Sequence, residues 1–348
     1  MNQGTTAPNT YTADDARTYY CQGSHKHVHR KKTAVKMSQA KRTVQSDKVW
    51  ASLITNMSYL PGLLTLHHSL LVSDTNYPFI ALHTDCFPEE GRAAIAARGI
   101  PLQRVPRLSP SNTRDYSSEP RFEDTWIKLT VFSLTAYSRV VLLDCDMLVR
   151  KNMDELMLLP LNPAGTTITT GTKVFAAGHA CICNPLKKPH YPASWVPANC
   201  PFTSHHADPD AAQTNGKDLT QQPLGLLNSG LLVVIPSKGQ YEAIVDCVKT
   251  APAEWVFPDQ DLLANLFRGR WVGLPYVYNA LKTLRWNGVH DAIWRDEEVK
   301  NIHYILSPKP WADRECDTSD HDESHQWWWA ADRKRRAREE ADGISDGY

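Results

Sequence analysis

The sequence predicts an α/β fold, a single Rossmann-like domain whose mostly parallel central sheet is flanked by helices. Two observations carry this reading. Apolar runs alternate with amphipathic segments, the order of strand–helix–strand units. The run Val140–Leu143 is unbroken, as expected of a central strand buried on both faces.

The elements follow in order. "VWASLITN" reads as a strand from Val49 to Thr55, then a polar turn and a helix carrying Leu60, Leu63, Leu64, Leu70 and Leu71. "YPFIALHTD" is a second strand and "PEEGRAAIAARG" a second helix, stopped by Gly99. "IPLQRVP" makes a short third strand. "DTWIKLTVFSLTAY" reads as a helix capped by Asp124, with Ile127, Val131 and Leu134 on one face. The Val140 strand follows and ends at "DCD". Residues 161–223, rich in Pro, Cys, His and Asn, read as an irregular insertion. Regular structure resumes with the buried strand in "LGLLNSGLLVVIPS", an amphipathic helix through Tyr241, Ile244, Val245 and Val248, and a second helix, "FPDQDLLANLF", opening with Asp259. "VKNIHYI" is the last strand, so the domain spans residues 48–312. Residues 1–47 read as a disordered polar tail. Residues 313–348 read as a second polar tail, in which "QWWWAADRKRRAREEA" starts a terminal helix able to pack its Trp residues on the core.

Composition narrows the function classes. With 38 basic and 38 acidic residues the chain has no global field for nucleic acid or membrane, and its basic segments near both ends read as solvated tails. No apolar run approaches the roughly 20 residues that span a bilayer, and the N-terminus lacks the apolar core of a signal peptide. The expected location is cytoplasmic, where the eight cysteines stay reduced. A homodimer is compatible with the sequence.

The chemistry concentrates at "RVVLLDCDMLV". In extended backbone, residues i and i+2 point the same way, roughly 6–7 Å apart, so Asp144 and Asp146 face one spot while Cys145 points elsewhere. Two like charges so placed repel unless a positive centre sits between them, and a hard divalent cation suits oxygen ligands. In doubly wound sheets, ligands bind at this carboxyl edge.

Six segments in order, "LITNMSYLPGLLTL", "DTWIKLTVFSLTAYSRVVLLDCDMLV", "LNSGLLVVIPS", "PDQDLL", "LPYVYN" and "HYILSPKPW", give a chain that resembles the family-eight glycosyltransferases, the group of glycogenin and galactinol synthase. They spread over about three quarters of the chain, and the overall cast is similar to soluble fungal members. The resemblance implies a GT-A fold, a UDP-sugar donor, an unidentified hydroxyl acceptor and transfer with retention. It also implies that Asp144, Asp146 and His303 bind Mn²⁺, with Mg²⁺ as the alternative. An imidazole added to oxygen ligands moves preference toward Mn²⁺. By the same resemblance Leu53, Thr55, Asn56 and Tyr59 form the nucleotide-binding turn, Asn228 and Ser229 line the sugar, and Lys309 reaches the diphosphate. Lys128, Asp259 and Gln260 fall near the reacting centre, where Asp259 is also readable as a helix cap. The family commonly has a glycine where this chain has Leu306, which puts a backbone contact to phosphate in question.

Two further readings stand beside this one. A catalytically weak nucleotide-sugar-binding protein is permitted by Leu306, and a dinucleotide-dependent oxidoreductase by the alternation alone. The latter lacks G-x-G-x-x-G after the first strand, where the chain reads "ITNMSYLPG". Outside the resemblance, Cys181, Cys183 and Cys200 with one histidine permit a structural Zn²⁺ site, the candidates in that segment being His179, His205 and His206.

Overall fold

The structure is a computed structural model that describes residues 41–111, 116, 120–167, 171–216, 225–252, 255–313 and 322–348. Most of the expected N-terminal tail, residues 1–40, lies outside them. Its last residues are placed: the Thr43 amide donates to the Tyr137 hydroxyl at 3.1 Å, so the folded part begins before Lys48.

Strands β1 (Lys48–Ile54), β2 (Phe79–His83), β3 (Leu102–Arg104) and β4 (Arg139–Leu143) form the parallel half of the central sheet. Helices α1 (Leu60–Val72) and α2 (Glu89–Ala97) connect the first three. The other half adds β6 (Phe175–His179), β7 (Leu227–Val234) and β8 (Trp271–Gly273), giving the order β3-β2-β1-β4-β7-β6-β8. Strand β7 runs antiparallel to both β4 and β6. A small second sheet pairs β5 (Met147–Val149), β10 (Asn301–His303) and β9 (Ala280–Leu281).

All five residues of β4 are buried, and their alternation divides the core. Val140 and Leu142 pack on the side of α3 (Thr125–Lys128), α4 (Lys238–Lys249) and α5 (Pro258–Leu266); Val141 and Leu143 pack on the side of α1 and α2. This is the two-faced burial that the unbroken apolar run predicted. A third cluster joins Ile182, Phe202, Leu281, Ile302 and Tyr304 to Trp328 and Trp329 of α6 (His325–Ala341).

Several expectations change. The helix expected over Asp124–Tyr137 is α-helical only over Thr125–Lys128 and continues as a 3-10 turn, Leu129–Ser133. The Thr130 and Ser133 hydroxyls donate to carbonyls three residues back, Ile127 at 2.6 Å and Thr130 at 2.7 Å, which competes with the α ladder. Asp124 makes no capping bond there. The 161–223 stretch is not wholly irregular, because it supplies β6 to the central sheet. The sequence "FAAGH" has weak strand propensity and is a strand because β7 and β8 pair it on both sides.

Residues 325–341 are a helix, and its basic run is not a solvated tail throughout. Arg335 is 1% exposed and is held by Asp332 at 2.7 Å and Glu339 at 2.6 Å, while Thr65 of α1 donates to Asp332 at 2.8 Å. Removing one member of such a buried set leaves a charge without its partner. Arg335→Ala is expected to lower stability by about 3 kcal/mol, whereas Lys334→Ala, on an exposed neighbour, should stay within about 0.5 kcal/mol. Urea unfolding of the two variants checks the difference.

Candidate active site

Strand β4 ends where the carboxylates begin. The Asp144 amide donates to the Gly230 carbonyl and the Asp146 carbonyl accepts from the Tyr304 amide, both at 2.8 Å, so the turn is held from β7 on one side and β10 on the other. Cys145 points the opposite way, its thiol 3.1 Å from the Leu53 carbonyl and 3.3 Å from the Ser52 hydroxyl, and burial pushes it up to about 12. The two aspartates therefore share a side, as their spacing predicted. Their carboxylate oxygens and a His303 ring nitrogen all lie within 4.8 Å of one another.

His303 is aimed by a chain of amides. The Gly230 amide donates to Asn228 Oδ1 at 3.0 Å, which also accepts from Asn279 Nδ2 at 2.9 Å. Asn279 then turns its Oδ1 to His303 Nδ1, 2.9 Å away. That leaves Nε2 as the ring atom facing the acids, 3.2 Å from Asp146 Oδ1 and 3.9 Å from Asp144 Oδ2. Imidazole ligands are usually oriented through the other nitrogen in this way. Gly230 is required by the ring: a Cβ there would stand 2.3 Å from His303 Cε1. Asn279 was only part of a quoted motif in the sequence; nothing in its spacing announced that it orients a histidine 24 residues away.

Two lysines flank the acids. Lys128 Nζ lies 2.8 Å from Asp144 Oδ1 and 3.6 Å from Asp259 Oδ2. Lys309 Nζ donates to Asp146 Oδ2 and, at 2.7 Å, to the Tyr304 carbonyl. Burial opposes ionisation of Asp146, yet Lys309 and His303 outweigh it and hold the carboxyl well below the usual range. Asp144 is moved the other way: burial, offset in part by Lys128 and reinforced by Asp146, pushes it up. Two carboxylates and an imidazole nitrogen converging on one point suit a divalent cation of the Mn²⁺ or Mg²⁺ class.

The other expected residues surround this centre in two groups. Ser229 donates to Asp259 Oδ2 at 2.5 Å, and its amide donates to Gln260 Oε1 at 3.1 Å, so the start of α5 is tied to the start of β7. Asp259 is buried and engaged by Ser229 and Lys128 rather than capping α5; Asp261 accepts the Phe257 amide at 2.9 Å instead. Leu53 lies near the end of β1, and Thr55, Asn56 and Tyr59 follow that strand at the same carboxyl edge of the sheet. Asn56 Oδ1 closes the turn by accepting the Ser58 amide at 2.8 Å, and the Tyr59 ring lies 5.9 Å from Lys309 Nζ and 5.7 Å from the Trp311 ring. Leu306 has φ of +64°, so it occupies the left-handed region that a glycine there would favour.

The family description "Glycosyl transferase family 8" matches residues 51–315, well over half of the chain. The chain belongs to this family. Galactinol synthase 1 of Solanum lycopersicum is 27% identical over 262 residues, 74% of this chain and 72% of that protein. The uncharacterized protein R707 of Acanthamoeba polyphaga mimivirus is 28% identical over 260 residues, 74% of this chain and 79% of its own. Among solved structures, galactosyltransferase LgtC, determined with donor and acceptor sugar analogues, superposes with a TM-score of 0.54 at 18% identity, covering 82% of this chain and 95% of LgtC. Glycosyltransferase GlyE of Streptococcus pneumoniae gives 0.54 at 15% identity, covering 87% of this chain and 66% of GlyE. The fold is GT-A and this family-eight chain is a glycosyltransferase, which removes the oxidoreductase reading. No helix among the described residues is long and apolar enough to cross a membrane.

Two substitutions test the site's construction. Asn279→Ala, which releases the ring of His303, should weaken any divalent cation's binding at Asp144, Asp146 and His303 about 10–100-fold; calorimetric titration with Mn²⁺ as the probe reads this, and unchanged affinity would sink the orienting role. Leu306→Gly should raise stability by about 0.5–1 kcal/mol, the relief of a left-handed side chain being partly offset by glycine's chain entropy. Thermal unfolding measures it.

Proposed function

We propose that this glycosyltransferase moves a hexosyl group from a UDP-sugar to a hydroxyl acceptor, with retention at the anomeric carbon. The observation that carries the reading is the convergence of Asp144, Asp146, His303 and Lys309 at the carboxyl edge of the sheet, beside the turn that holds Tyr59. The acceptor is a small molecule or a glycan.

In this reading Asp144, Asp146 and His303 hold a divalent cation, Mn²⁺ by the mixed N/O donor set, which when bound supplies Lewis-acid neutralisation of the diphosphate. Lys309 acts as the counter-charge to the departing UDP, and its contact with the Tyr304 carbonyl fixes the ammonium for that purpose. Tyr59 stacks on the uracil while the backbone of Leu53, Thr55 and Asn56 reads its edge. Asn228 and Ser229 line the sugar. Gln260, held through its Oε1 by the Ser229 amide, and Asp259 stabilise positive charge developing on the ring. The acceptor hydroxyl attacks from the face that UDP leaves: the C1–phosphate oxygen bond breaks, the glycosidic bond forms, and the hydroxyl proton passes to the departing oxygen. The LgtC name puts a galactosyl donor at the head of the candidates.

UDP release from UDP-galactose, UDP-glucose and UDP-GlcNAc with Mn²⁺ is the test. One donor should be turned over by wild type, and Asp146→Asn should reduce that rate by at least about 10²-fold. Tight UDP binding with no turnover on any donor or acceptor would instead support the weak-binding alternative. Turnover unaffected by Asp146→Asn, or failure to bind UDP at all, would overturn the assignment.

A further inference from the structure

Three thiols and an imidazole meet outside the carboxylate site. Cys181 and Cys183 leave the end of β6, two residues apart, while Ala180 and Ile182 between and before them are buried in the third core cluster. In extended chain that alternation puts both cysteines on one side. Cys200 arrives after a short 3-10 turn, Pro197–Asn199, and is 4% exposed. The fourth member comes from far along the chain: His290 is 0% exposed, with Nε2 3.2 Å from Cys183 Sγ and 3.2 Å from Cys200 Sγ. All four donor atoms lie within 4.8 Å of one another. The three cysteines are unpaired as disulfides.

We propose that Cys181, Cys183, Cys200 and His290 bind a structural Zn²⁺. A tetrahedral zinc with Zn–S near 2.3 Å and Zn–N near 2.0 Å sets neighbouring ligand atoms about 3.5–3.8 Å apart, and this cluster needs only a few tenths of an ångström of expansion at its two measured contacts. Three sulfurs and one imidazole are a closed donor set, without the open position of a catalytic zinc. The ligand histidine is also oriented from behind: His206 Nε2 is 2.9 Å from His290 Nδ1, the contact by which an imidazole ligand is normally fixed. The Phe202 ring meets His290 edge-on with centroids 5.5 Å apart and covers the cluster. Thus the histidine of the sequence-level expectation is none of His179, His205 or His206; His206 stands one contact further out.

The location explains what the ion would do. The segment from Cys181 to Ala212 contains only short 3-10 turns among the described residues, so it has few backbone ladders to hold it. Zinc would bridge it to a loop 107 residues beyond Cys183 and so close the third core cluster, the role such staples play where regular structure is scarce.

The experiment is metal analysis of the full chain purified from zinc-supplemented cells without chelators. About one zinc per chain is expected in wild type and in Asp146→Asn, and none in Cys200→Ser or His290→Ala. Should those two variants fail to fold, titration of native wild type with an organomercurial reads the same site: zinc must be released in step with three thiols, and the released protein should melt at lower temperature. Folded wild type that contains no zinc, a disulfide among the three cysteines, or zinc lost from Asp146→Asn and kept by His290→Ala would each overturn the proposal.

Discussion

The structure depends on how two carboxylates are accommodated at the end of a strand that has no water on either face. β4 cannot continue through them, so the chain turns, and each neighbouring element contributes something that offsets their charge. Lys128 comes from α3, Lys309 from the loop after β10, and His303 from β10 itself. Near the centre stand three carboxylates, counting Asp259, against two ammonium groups. One negative charge is left over; burial, with Asp146 beside it, pushes Asp144 up against the pull of Lys128, while Lys309 and His303 outweigh burial and hold Asp146 down. A site short of one positive charge accepts a divalent cation and becomes net positive by one. On the proposed reading, such a site would suit the diphosphate of a nucleotide-sugar donor.

Holding Lys309 in place requires its loop to be rigid, and the C-terminal helix supplies much of that rigidity. The carbonyls on either side of the lysine are both engaged: Pro308 by the buried ammonium of Lys282 at 3.0 Å, and Pro310 by the Trp329 indole at 2.8 Å. Lys282 in turn lies 3.2 Å from His325 at the start of α6, and burial brings it down to about 8. The terminal helix, whose Trp residues the sequence placed against the core, is therefore part of the frame behind the candidate site.

What the sequence disclosed was what is local. The apolar run before "DCD" requires a buried strand, the i, i+2 spacing requires two carboxylates on one side, and helix periodicity placed α1, α2, α4 and α5. The short strands β5, β6, β8 and β9 were hidden because their burial comes from partners rather than from their own pattern. "FAAGH" resembles a loop until β7 and β8 flank it. The 3-10 continuation after Lys128 was hidden for a related reason, since hydroxyl-to-carbonyl bonds override the apolar spacing that suggested a longer helix. The roles of Asn279 and His290 were invisible for the deepest reason: each acts on residues that only the fold brings near, and the segment "LPYVYN" that contains Asn279 says nothing of its partner. At Leu306 the sequence raised the right question, and the positive φ answers that its backbone takes the conformation a glycine would favour.

The stretch from Tyr276 to Tyr304 serves both polar centres. Asn279 and His303 belong to the oxygen-rich one, and His290, between them in sequence, belongs to the thiol cluster. Their donor sets differ in kind, hard carboxylates in one and soft sulfurs in the other, so the two would discriminate between cations by chemistry rather than by affinity alone. The hydrophobic cluster that includes Leu281, Leu284, Ile293 and Ile302 lies along the same stretch. The thiol cluster and the strand that carries His303 are thereby joined through one stretch of chain whose apolar side chains share a single core cluster.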